Sequence, residues 1–225
     1  MDDERASPDD DRPRLAPIGR GPDGDRPIAL LAGSFDPPTI AHVALAEAWR
    51  AETAGDVVFV YAHRTLPKRP GTEDPLLGDE ARLEALRRVT AVREGFHAAR
   101  ASHGLIVDQA EAARARWPGA RITVLLGSDK ARQLFDPVWY EDLERALSRL
   151  FAAADVRCAA REGDEGLVGS ILSEPALARY RGRFTSIAVP AGIGAVASSD
   201  VRRRLRAGRR VDDLVPPEVL SLIGA

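Results

Sequence analysis

The chain predicts an α/β fold: a doubly wound, mostly parallel sheet with helices on both faces, in a single domain. Two features carry that expectation. Short apolar runs bounded by turns alternate with segments whose apolar residues recur every three or four positions. The first such run, Ile28-Ala29-Leu30-Leu31-Ala32, also leaves through a glycine turn straight into a helical pattern. A run without a polar face suits a strand covered on both sides. The helix that follows spans 40–51, with Ala44, Leu45, Ala48 and Trp49 on one stripe. A strand is expected at 57–61, helices at 79–92 and 107–116, a strand at 122–126, a helix at 142–150 and strands at 155–159 and 185–189. A last helix begins at Ser198-Ser199. Such alternation places ligands at the carboxyl ends of the strands. The 64–78 stretch, broken by Pro67, Pro70, Gly71, Pro75 and Gly78, reads as a functional loop. Residues 1–27, rich in Asp, Arg, Pro and Gly, read as a disordered tail ahead of one domain at 28–225.

Composition narrows the class. With 44% apolar and 29% charged residues over 225 positions, the chain suits a globular domain with a substantial core. A formal charge of −2 argues against general affinity for nucleic acid, although arginines cluster at 202–210. One cysteine, Cys158, rules out an intrachain disulfide. No apolar run approaches the ~20 residues that cross a bilayer, and the start is acidic where a signal peptide would be basic. The expectation is a cytoplasmic enzyme with no membrane or nucleic-acid partner; a homo-oligomer stays open.

Chemistry concentrates in Gly33-Ser34-Phe35-Asp36-Pro37-Pro38-Thr39-Ile40-Ala41-His42. Glycine lets backbone approach a ligand, a helix N-terminus offers N–H groups and positive dipole to an anion, and His42 sits in its first turn. This segment resembles the HxGH motif of the nucleotidylyltransferases, with Thr39 and His42 at its two key positions and Ala41 where glycine is usual. Val196-Ala197-Ser198-Ser199-Asp200-Val201-Arg202 is similar to the ISSTxIR signature of nicotinamide and nicotinate mononucleotide adenylyltransferases. Leu126-Gly127-Ser128-Asp129 with Trp139 is similar to their GxD…W segment, and Leu214-Val215-Pro216 to their closing turn.

The resemblance implies a Rossmann-like domain that transfers the adenylyl group of ATP to nicotinate or nicotinamide mononucleotide, releasing pyrophosphate in NAD biosynthesis. Both reactants are anions, so catalysis is mostly positioning and electrostatic stabilisation. His42, written as a protonated donor to the α-phosphate, Arg202, Thr39 and Lys68 form the implied catalytic set, with Arg82 behind them. Gly33, Ser34, Phe35, Gly127, Asp129, Trp139, Arg161, Ser198 and Ser199 form the implied nucleotide-binding set. Asp129 would accept from ribose hydroxyls, Trp139 would face the pyridine ring, and the two serine hydroxyls would meet the departing pyrophosphate. Mg2+ is expected to arrive with ATP, with no protein-built metal site and Asp36 nearby through water.

Each residue also has a structural reading. A histidine at a helix start is commonly a cap or surface group, a Ser-Ser pair an N-cap, a tryptophan core. His63, His97 and His103 carry no motif, and Trp49 and Trp117 are assigned to packing. The segment 102–108 departs from the SYTxDTL-like stretch of the bacterial nicotinate enzymes, which leaves the acceptor open. Two alternatives stand beside the leading function: a related cytidylyltransferase or pantetheine-phosphate adenylyltransferase, and a catalytically silent nucleotide-binding regulatory module.

Overall fold

A computed structural model describes residues 12–62, 75–160 and 163–224. Its strands are β1 (Leu15–Ile18), β2 (Ile28–Gly33), β3 (Asp56–Ala62), β4 (Phe96–Ala101), β5 (Ile122–Gly127), β6 (Asp155–Ala159) and β7 (Phe184–Ile187). Its helices are α1 (Ile40–Thr53), α2 (Asp79–Ala91), α3 (Ile106–Arg116), α4 (Ser128–Leu134), α5 (Leu143–Ala153), α6 (Leu167–Leu172), α7 (Ser198–Arg206) and α8 (Pro217–Leu220). The strands form one sheet in the order β1-β4-β3-β2-β5-β6-β7. All neighbours are parallel except β1 and β4. The expected α/β fold with a mostly parallel sheet is therefore present.

Side-chain alternation along each strand builds a core on both faces. Ile28 and Leu30 of β2 join Val58 and Val60 of β3 against α3 and α5. Ala29 and Leu31 join Val57 and Phe59 against α1, α2 and the α7–α8 segment. Each fully buried leucine or valine contributes roughly 1.5–3 kcal/mol. The chain winds from β2 outward to β3 and β4, then returns to place β5 on the other side of β2. That reversal opens a crevice between the carboxyl ends of β2 and β5.

The N-terminal expectation needs correction. Residues 12–27 are structured: β1 pairs antiparallel with β4, Leu15 opposite Ala101 and Ile18 opposite Ala98. Leu15 is buried, and the Trp117 indole N–H donates to the Pro22 carbonyl at 3.1 Å. Composition misled because this strand needs little core of its own; it takes its hydrogen bonds from the edge of β4. Residues 1–11 lie outside the described residues. Strand β4, Phe-His-Ala-Ala-Arg-Ala, escaped sequence reasoning because alanine is a poor strand former. Helices α4 and α6, of seven and six residues, are too short to display periodicity.

Candidate active site

Strand β2 delivers the glycine turn to the carboxyl edge of the sheet, and the turn's own side chains are structural. A Cβ on Gly33 would stand 2.9 Å from atoms of the Phe35 ring. Phe35 has a φ of 46°, is fully buried and sits edge-on to the His42 imidazole at 5.2 Å. The glycine thus makes room for Phe35, whose ring packs edge-on against His42. Ser34 is half-buried, and its carbonyl accepts from Arg82 at 3.4 Å. None of these three residues lines the crevice cavity described below.

Thr39, the N-cap of α1, is fully buried. Its backbone N–H donates to His42 Nδ1 at 3.0 Å, and its hydroxyl oxygen lies 2.7 Å from the same nitrogen. The Thr39 hydroxyl is thus engaged with His42 and closed off from solvent. An amide N–H aimed at Nδ1 calls for a lone pair there, a geometry that favours the ring proton on Nε2. This geometry suits a neutral ring better than the protonated one expected from sequence.

Asp36 is the hub of the turn. Its carboxylate is fully buried, accepts the N–H groups of Leu77 at 2.8 Å and Leu76 at 3.2 Å, and faces Arg82 at 3.4 Å and Arg202 at 3.6 Å. A carboxylate so enclosed is not placed to hold water on magnesium. Arg82, buried, also donates to the Leu77 carbonyl at 2.7 Å, which makes it a strut. Nearby, Tyr61 donates to Asp79 at 2.5 Å and so fixes the start of α2; burial, then that carboxylate, push the phenol up to about 12.

The late motif is bolted to the early one. Ser198 Oγ donates to the Pro37 carbonyl at 2.8 Å, Arg202 Nη1 to the Asp36 carbonyl at 2.8 Å, and the Ile40 N–H to the Leu214 carbonyl at 3.0 Å. The Ser198 hydroxyl proton is thereby committed, which leaves the backbone N–H groups and the Ser199 hydroxyl at this end of α7 for an anion. Asp200 reaches back to the Ala197 N–H at 3.0 Å and caps the helix. Ser199 is exposed beside it.

The two motifs share a cavity of about 220 Å³ in the crevice, walled by Ala41 and His42 of α1, Gly127, Asp129 and Lys130 after β5, and Ala197 and Ser198. A Cβ on Gly127 would meet nothing within 4 Å, so the cavity is hollow there. Arg202 stands behind this wall, on Asp36. Trp139, half-buried on the turn Pro137–Trp139 beyond α4, is not part of the lining. Lys68 and Arg161 lie outside the described residues. Lys130 was missed; the signal was a cation immediately following the Gly-Ser-Asp at a strand end. Among the described residues no group of three or more His, Cys, Asp or Glu could hold a metal ion.

A second cleft of about 340 Å³ lies at the opposite, amino end of the strands, near Arg121, Asp155, Arg157 and Arg183. Asp155 pairs with Arg183 at 2.7 Å and Arg121 at 3.0 Å, and Arg157 with Glu52 at 2.9 Å. Its arginines are matched by carboxylates, and it lies far from both motifs.

A family model described as cytidylyltransferase-like matches residues 30–157. The chain belongs to the cytidylyltransferase-like family. A protein named "Probable nicotinate-nucleotide adenylyltransferase" from Gemmatimonas aurantiaca is 27% identical over 218 residues, covering 88% of this chain and 90% of the relative. A protein of the same name from Anaeromyxobacter dehalogenans is 29% identical over 209 residues, covering 89% and 95%. Among solved structures, the Plasmodium falciparum nicotinic acid mononucleotide adenylyltransferase complexed with APC superposes with a TM-score of 0.63 at 18% identity, covering 88% of this chain and 94% of that one. Its complex with NaAD gives 0.61 at 19% identity. At these identities the structures establish the shared fold. No helix among the described residues is long and apolar enough to cross a membrane.

Proposed function

We propose that this chain is an ATP-dependent nicotinate-nucleotide adenylyltransferase, making the dinucleotide and pyrophosphate in NAD biosynthesis. One observation carries the reading: His42 of the early motif and the start of α7 in the late motif open onto one cavity at the strand crossover. The names of the curated relatives, over nearly nine-tenths of this chain, support nicotinate mononucleotide as acceptor.

A phosphate oxygen of the mononucleotide attacks the α-phosphorus of ATP, the bond to the β-phosphate oxygen breaks, and pyrophosphate leaves with the electron pair. No side chain acts as nucleophile. His42 donates from Nε2 to a nonbridging oxygen of the α-phosphate, where negative charge grows. The backbone N–H groups at the start of α7 and the Lys130 ammonium meet the leaving pyrophosphate. Asp129 accepts from ribose hydroxyls. Arg202, behind the wall, holds the turn and adds positive potential; Trp139, Lys68 and Arg161 keep the ring-facing and phosphate-facing roles that their motif positions imply. The cavity wall offers one carboxylate, Asp129, so Mg2+ is expected to enter as Mg-ATP, carried mainly by phosphate oxygens and water. The setting proposed is the cytoplasm, where a lone buried thiol such as Cys158 stays reduced.

The test is pyrophosphate release from Mg-ATP with nicotinate and nicotinamide mononucleotide side by side. The nicotinate form should turn over faster. Turnover of neither would sink the assignment, and binding of both substrates without product would favour the silent module.

A further inference from the structure

We propose that Thr39 is a positioning residue for the transfer, holding His42 through two hydrogen bonds as the neutral tautomer that points its Nε2 proton into the cavity. The proposal rests on the adenylyl-transfer reading of the same site. Thr39 occupies a motif position whose side chain would be expected to touch phosphate. Yet the residue is fully buried and turned inward. Its amide N–H reaches His42 Nδ1 at 3.0 Å, and because that contact makes Nδ1 an acceptor, the hydroxyl 2.7 Å away is also a donor to it. The ring plane is set from a third side by the edge of Phe35.

The chemistry follows from the tautomer. With the single Nδ1 lone pair shared by the Thr39 amide N–H and hydroxyl, the proton resides on Nε2, and Nε2 becomes a donor toward phosphate oxygens. The other neutral tautomer would turn a lone pair toward those oxygens. An imidazolium would set an Nδ1–H against the Thr39 N–H inside a buried pocket. Thr39 thus acts through His42, and the donor is ready before substrate arrives, with no proton to acquire from solvent. A hydroxyl at this position is needed for the second bond; serine provides it and valine, of nearly the same shape, does not.

Two measurements on the full chain test this. Two-bond 1H–15N correlation of the histidine ring nitrogens should show His42 protonated at Nε2 and bare at Nδ1 in the free protein at neutral pH. In pyrophosphate-release kinetics, Thr39→Val should lower kcat about tenfold with the KM for ATP within about twofold, and Thr39→Ser should restore most of the rate. An Nδ1-protonated His42, or a Thr39→Val enzyme with parental kcat, overturns the proposal. The spectrum needs no turnover, so an inactive chain with the Nε2 tautomer would count against the adenylyl-transfer reading and leave the tautomer assignment standing.

Discussion

At the level of single residues, the same side-chain types serve the ligand cavity and the scaffold beneath it, and only burial separates them. His42 was legible: a histidine after Gly-Ser-Phe-Asp-Pro-Pro-Thr does line a cavity with the late motif. Thr39, Ser198 and Asp36, expected from sequence to face ligand, turn their polar groups onto the protein itself. Each carries a group suited to phosphate or metal, and each engages a neighbour with it: an imidazole, the Pro37 carbonyl, and two amides with two guanidiniums. The partners of Ser198 and Asp36 lie 40 to 166 positions away, where no local pattern encodes them, whereas the Thr39–His42 pair is local but does not reveal that it is turned inward. For His42→Ala we expect turnover to fall by about a hundredfold or more, the magnitude of one preorganised donor, with an unchanged circular dichroism spectrum. A near-parental rate would remove His42 from the chemistry.

Among the elements, those with strong periodicity or unbroken apolar character were legible, and those supported by a neighbour were not. Helix α5 shows why: Ala146, Leu147, Leu150 and Phe151 form its buried stripe, and Asp142 caps it by accepting from the Arg145 N–H at 2.9 Å. Strand β1 shows the opposite case, since its place depends on the free edge of β4. At the other side of the sheet, Asp155 opens β6 and ties β5 to β7 through Arg121 and Arg183. Burial pushes its carboxyl up, but hydrogen bonds from Arg183 and then Arg121 outweigh that and hold it below the usual aspartate range. A folded-state value lowered in this way adds stability above the unfolded value of ~3.9, and that stability is lost as pH falls through the lower, folded one. Asp155→Asn should therefore destabilise the protein by about 0.5–1 kcal/mol at pH 7, as suits a partly exposed pair. Urea midpoints should show the difference from the parent shrinking as pH falls below the unfolded value of ~3.9 and vanishing once it passes the lower, folded one. A gap that persists undiminished in acid would argue that the ion pairs are not its source.

Across the molecule, the sheet supplies a crevice and one buried carboxylate gathers the parts around it. Asp36 meets the turn after β2, the residues leading into α2, and α7, so its charge couples three segments. Removing one member of such a buried set strands the others. Asp36→Asn should cost about 3–5 kcal/mol of stability and depress turnover together, read from chemical denaturation and pyrophosphate release on one preparation. A variant as stable as the parent would show that Asp36 is no hub. The overall architecture was legible because strand–helix alternation restricts topology to few solutions, whereas the hub depends on which buried charges meet.

The clasp between the two motifs also has a consequence for biosynthesis. Ser198 and Pro37 are 161 positions apart, and Leu214 closes on the first residue of α1. A nascent polypeptide whose residues 198–214 are still within the ribosome can pair its central strands, yet it lacks one wall of the pocket. Activity should therefore switch on only as synthesis reaches this segment, so that truncated translation products are inert toward cellular ATP.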